Sequence, residues 1–244
     1  MGIATAVLLL AFYWTFTGLR AREWSDPLRF AMTEAAKHPQ SPRATYDLAR
    51  DLVIIAGYRQ DSANLDRAFA ALERAMEVRG STPLPESAAI VLASRTMRPP
   101  EARWWHQLQE KLRSRPIGPQ ELNALASLVD CQLDSSCRLP PQAMLDSFAA
   151  ALSHGRHPEV LNIYGNYALN ALGDPALALA LWREGAERAP SIAQYQVNVA
   201  RLLIASGQPG LARPYIEALR KMGRLGQNER IARELEELAD AKDK

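Results

Sequence analysis

Aromatic residues make up only 7% of the 244-residue chain, and β-branched residues are sparse as well, which disfavours sheet. Alanine, leucine, arginine and glutamate dominate instead, a composition suited to helix. The chain also lacks a segregated block of one charge. Lys and Arg total 29 against 27 Asp and Glu, a formal net charge of +2. Most basic residues have acidic neighbours, as in "NERIARELEELADAKDK". No phosphate-tracking stripe stands apart, so nucleic acid is not an expected partner. Missing too are a glycine-rich phosphate loop, HExxH, GxSxG and any Ser/His/Asp set. The carboxylates are scattered over charged helix faces. We therefore expect no catalytic residues, no cofactor and no enzyme activity in this chain. Disorder is disfavoured in turn, because 48% of residues are hydrophobic, enough to bury a substantial core.

Charge is absent altogether from one stretch. Residues 3–19 read "IATAVLLLAFYWTFTGL", and as helix they would reach ~25 Å, the short end of a membrane span. Arg20 and Arg22 close the run, and neither a basic start nor a small-x-small cleavage site marks a signal peptide. A core helix would carry a polar stripe, which this run lacks. We expect a transmembrane helix at 3–19 and an amphipathic juxtamembrane segment at 20–40. Basic residues on the carboxyl side, taken alone, would place that side in the cytoplasm.

The carboxyl half repeats itself. Gly173 recurs as Gly207 and Ala178 as Ala212, each pair 34 residues apart; Leu169 with Leu203, Trp182 with Ile216 and Gly185 with Leu219 keep the same offset. Glycine at the end of a first helix allows a left-handed turn, a small residue lets the second helix approach, and a bulky one fills the space a turn later. In period and residue types these units resemble tetratricopeptide (TPR) repeats, running 159–192 and 193–226. A third unit, with Leu48, Ala49, Ala68, Leu72 and Ala75 in the corresponding places, carries a lengthened turn, "GYRQDSANLD". Residues 81–157 are degenerate but still helical, punctuated by prolines at 83–85, 99–100, 116–119 and 140–141. The expected fold is all-α: an N-terminal transmembrane helix, then a TPR-like α-solenoid over 41–226. A capping helix at 227–244 would present Ile231, Leu235 and Leu238 on one face.

With repeats behind it, "LRAREWSDPLRFAMTEAAKHPQSPRATYDLA" resembles a known junction, the one after the last membrane helix of polytopic transmembrane-and-TPR O-mannosyltransferase-like proteins. Arg22, Trp24, Ser25, Asp26, His38, Pro39, Ser41, Arg43 and Ala44 carry the likeness. The resemblance implies an extracytoplasmic repeat region and a non-catalytic role, since that family's catalytic carboxylates lie in early loops that it does not cover. Two architectures fit it: a single-span scaffold, or the carboxyl portion of a polytopic glycosyltransferase.

Cys131 and Cys137, the only cysteines, flank a polar turn. A disulfide there belongs in an oxidising compartment; buried free thiols are the alternative, and would favour a cytoplasmic scaffold. His154 and His157 fit no common zinc spacing with them, so we expect no metal site. Trp104 and Trp105, beside His106, read as core packing rather than a sugar platform. Asn162, Asn166 and Asn170 fall at i, i+4 and i+8 on one helix face, with Asn198 and Arg201 on the matching helix of the next repeat. First helices of TPR units line a concave groove, and Asn198 falls where many such units carry asparagine. We expect these five, with Tyr167 and Gln194, either to hold an extended peptide from a protein partner or to form a solvated face.

Overall fold

The computed structural model describes residues 2–222 and 226–242. Over these every regular element is a helix, with no strand, in keeping with the composition. The long helix α1 (Gly2–Trp24) is followed by α2 (Pro27–Lys37), α3 (Pro42–Ala56), α4 (Leu65–Glu77), α5 (Leu84–Arg95) and α6 (Ala102–Ser114). Then come α7 (Pro119–Leu133), α8 (Pro141–Ala151), α9 (Pro158–Asn170), α10 (Pro175–Arg188), α11 (Ala193–Ala205), α12 (Pro209–Met222) and α13 (Gln227–Lys242). Proline is the first residue of seven of these helices, where its missing N–H costs nothing and its fixed φ suits the first turn. The prolines that punctuate the sequence therefore start helices as well as stopping them. Asp26, Ser41 and Asp174 cap α2, α3 and α10 by accepting from the N–H groups of Arg29, Ala44 and Leu177.

The chain divides inside α6, between Trp104 and Trp105, into two compact units. The first unit contains α1 to α5. Helices α2, α3, α4 and α5 pack each on the next; of the five residues expected to form the core of the third repeat, Ala49, Ala68, Leu72 and Ala75 are fully buried, whereas Leu48 is only half-buried. Its lengthened turn begins at Gly57, in the left-handed region at φ 61°, and Trp104 stacks on Phe69 with centroids 5.8 Å apart. Helix α1 is different in kind: it has no buried residue, and it is long and apolar enough to cross a membrane.

The second unit stacks helical hairpins in the solenoid-like manner expected. Helix α9 packs on α10, α10 on α11, α11 on α12 and α12 on α13, while α7 also contacts α9. Gly173 and Gly207 adopt φ of 65° and 71°, so the repeated glycines do serve the left-handed turns after α9 and α11. Ala178 and Ala212 are fully buried, Trp182 and Ile216 fill the space beside them, and Trp105 lies buried as well. The expected end of the second repeat includes residues 223–225, and the expected cap includes 243–244; both stretches lie outside the described residues. Within α13 the face differs from the expected one. Ala232, Leu235 and Ala239 are buried, whereas Leu238 is 48% exposed. Two alanines let α13 approach its neighbours closely, and that rotates Leu238 outward.

Two features lock the second unit. Cys131 and Cys137 form a disulfide with Cα atoms 5.2 Å apart; both are buried, and Cys137 N–H donates to Cys131 C=O at 2.9 Å. On α9, Gly165 sits under the Trp182 indole, and a Cβ there would lie 2.5 Å from Trp182 Cδ1. At Gly185 an added Cβ meets only ordinary contacts, at 3.7 Å or more.

These contrasts set two expected outcomes. Gly165→Ala should lose about 1–3 kcal/mol through overpacking, while Gly185→Ala should be neutral or gain up to about 1 kcal/mol from helix propensity; urea unfolding of both variants checks this. Replacing both cysteines by serine should cost about 2 kcal/mol on the chain-entropy account of so short a loop, read in the same assay under non-reducing conditions.

Candidate functional site

Four helices of the second unit contribute to a cleft of about 360 Å³, lined by Ala126, Val129 and Asp130 of α7, Asn162, Ile163 and Asn166 of α9, Trp182 of α10, and Gln194 and Asn198 of α11. Helical periodicity explains the α9 contribution: Asn162 and Asn166 are one turn apart and point the same way.

Hydrogen bonds tie the amides together. Gln194 Nε2 donates to Asn198 Oδ1 at 2.7 Å, and Asn198 Nδ2 donates to Asn162 Oδ1 at 2.9 Å. The second bond crosses from α11 to α9 and links successive first helices of the hairpins. Behind the ladder, Trp182 Nε1–H donates to the Asn162 carbonyl at 3.1 Å. Gly165 makes that bond possible, since any side chain there would occupy the place of the indole. The bulky residue of the repeat thus fills the core and also fixes one end of the ladder.

The seven residues singled out from sequence separate into four groups. Asn162, Asn166, Gln194 and Asn198 line the cleft together. Asn170 stands outside it but supports Asn166, donating through Nδ2 to Asn166 Oδ1 at 2.7 Å and to its carbonyl at 3.1 Å. Arg201 is exposed and does not line the cleft, although it lies on the same helix as Asn198. Tyr167 requires a correction: it is only 1% exposed and belongs to the core. One residue past Asn166 it is rotated by ~100° about the helix, and its ring packs 5.6 Å from Phe148 of α8. Burial raises its hydroxyl pKa.

Asp130 was not singled out from sequence, yet it carries the only formal charge among the residues lining the cleft. It precedes Cys131, so the disulfide holds the last turn of α7 where this carboxylate stands. Its sequence signal is weak, because α7 begins 39 residues before α9 and escapes the 34-residue register. The histidines considered for zinc are engaged elsewhere: His154 Nε2 meets the Arg113 carbonyl, and His157 Nδ1 lies 3.0 Å from Glu159.

A second polar cluster braces the hairpin from outside. Arg156, in the loop before α9, reaches Glu184 of α10 through Nε at 2.9 and 3.0 Å, and Arg188 Nε approaches the same carboxylate at 2.9 Å. The two guanidiniums, Arg156 above all, hold the Glu184 carboxyl down to about 2 from its ordinary 4.5.

No family model matches the chain, and the comparison with curated proteins returns no relative.

A depressed carboxyl pKa contributes stability that is present above the unfolded value and lost as pH falls through the folded one. The Arg156–Glu184–Arg188 contribution is therefore intact at pH 7 and fades between pH 4.5 and about 2. Solvent screening keeps it to about 1 kcal/mol or less. Glu184→Gln should lower the melting temperature at neutral pH by a few degrees, with the gap to wild type closing toward pH 2, as thermal melts across that range will show.

Proposed function

We propose that this chain is a membrane-anchored helical-repeat scaffold whose second unit binds an extended segment of a partner polypeptide in the amide-lined cleft, outside the cytoplasm. One observation carries the reading. The ladder from Gln194 through Asn198 to Asn162 spends part of each amide on its neighbour and leaves the rest held in fixed directions. Asn162 Nδ2, Asn166 Nδ2 and Gln194 Oε1 have no partner among the described residues. An extended backbone offers carbonyls to the first two and an N–H to the third, which gives affinity with little demand on side chains. Pre-formed hydrogen bonds reduce the entropy lost on binding. Asp130 adds a preference for a cationic group on the ligand.

The remaining elements fit that role. Helix α1 supplies a span, the Cys131–Cys137 bond suits an oxidising compartment, and the sequence resemblance to TPR membrane proteins points the same way. Such a scaffold would keep a partner, or a glycosylation acceptor, close to the membrane.

Selection of a random peptide library against the full chain in detergent tests this. Enriched peptides should compete with one another, carry Lys or Arg, and bind Asn162→Ala roughly tenfold more weakly, the worth of one or two hydrogen bonds. Failure to enrich any peptide, or enrichment of peptides indifferent to Asn162→Ala and Asp130→Asn, would overturn the proposal.

A further inference from the structure

The end of α1 carries an arrangement that the cleft does not explain. Lys37 Nζ lies 3.7 Å from Glu23, and the Trp24 and Phe30 rings pack edge to face with centroids 6.2 Å apart. Were α2 to continue along the axis of α1, Glu23 and Lys37 would stand ~21 Å apart at helical rise, beyond the reach of their side chains. Helix α2 therefore turns aside directly at the end of the apolar run and stays beside the last turn of α1.

Three arginines flank this turn and its two aromatic rings in the chain, Arg20 and Arg22 in the last turns of α1 and Arg29 in the first turn of α2. Arg20, Arg22 and Arg29 are exposed, and none has an acidic partner among the described residues. Both acids close to them in sequence are engaged: Glu23 pairs with Lys37, and Asp26 accepts from the Arg29 N–H as the cap of α2. Elsewhere nine arginines pair with a carboxylate, among them Arg43, Arg98, Arg103, Arg156, Arg188 and Arg220. The rings stay uncovered too, Trp24 being 66% and Phe30 37% exposed. Trp24 lies ~6 Å beyond Arg20 along α1, within the depth of the polar headgroup layer if the apolar run spans the hydrocarbon.

Resting on the membrane reading of α1, we propose that Arg20, Arg22, Trp24, Arg29 and Phe30 form a collar that binds the phosphates of anionic lipid headgroups. Guanidinium groups match phosphate oxygens in paired hydrogen bonds, and indole and phenyl rings favour the boundary between headgroup and acyl chain. The collar continues directly from the span, so the lipid beside α1 is the occupant already in place. Its charge selects the anionic fraction of that lipid. The first unit is then held by a ring of headgroups as well as by one helix, which limits how it can tilt on its anchor.

Tryptophan quenching in proteoliposomes of the full chain decides the matter. Vesicles of phosphatidylcholine and phosphatidylglycerol are prepared with one or the other lipid brominated near the glycerol end of its chains. Emission from Trp24 is taken as the difference between wild type and Trp24→Phe, and emission from Trp14 likewise from Trp14→Phe. The expected result is several-fold stronger quenching of Trp24 by brominated phosphatidylglycerol than by brominated phosphatidylcholine, with Trp14 showing no preference. The combined Arg20→Gln, Arg22→Gln, Arg29→Gln variant should lose the Trp24 preference and keep Trp14 quenched. If Trp14 is quenched but Trp24 shows no preference, the collar proposal is overturned while the span stands. If Trp14 is quenched by neither lipid, the span reading fails and the collar falls with it.

Discussion

The hydrogen bond from the Trp182 indole to the Asn162 carbonyl, 3.1 Å long and laid across Gly165, is the constraint on which the cleft depends. It fixes how α10 sits on α9, and in doing so it fixes the helix face that presents Asn162 and Asn166. Only glycine at 165 lets the indole reach the backbone, so one side chain ties core packing and site geometry to the same atoms. From Asn162 the order passes outward through Asn198 to Gln194, from one hairpin to the next. The ladder is thereby both a structural bond between repeats and a row of partly used amides facing solvent.

Other devices protect this arrangement from different sides. The disulfide holds the last turn of α7, with Asp130 next to it, where the regular repeat has lost its register. The ion pairs of Glu184 brace the loop before α9 against α10 and persist through neutral and mildly acidic pH. In the first unit, α1 buries nothing and α2 turns aside at its end. The one described helix long and apolar enough to cross a membrane thus lies in one unit, and the candidate binding cleft in the other.

Much of this was legible in the sequence, for identifiable reasons. A left-handed turn demands glycine, so Gly173 and Gly207 announced their helix ends and their spacing announced the repeat. The helical period put Asn162 and Asn166 on one face, and the repeat carried that face to Asn198. The same period could have excluded Tyr167, one residue from Asn166, but its burial is decided by Phe148 of α8, which comes from the degenerate middle where no register guides assignment. Asp130 escaped because the turn closed by the disulfide lengthens its hairpin. Gly165 escaped because its role is defined by a side chain 17 positions away, and no local pattern encodes that contact. Leu238 was assigned to the wrong side because alanines, weak signals of burial, outnumber leucines on the buried face of α13.

The most direct measurement is a double-mutant cycle on peptide affinity, using a selected cleft-binding peptide with the full chain, Asn162→Ala, Asn198→Ala and the combined variant. If the amides act as one pre-formed ladder, either single change should disorder its partner, and the combined loss should fall short of the sum by about 1 kcal/mol. Independent, additive losses, or affinity unchanged by either substitution, would contradict a cleft organised around these amides.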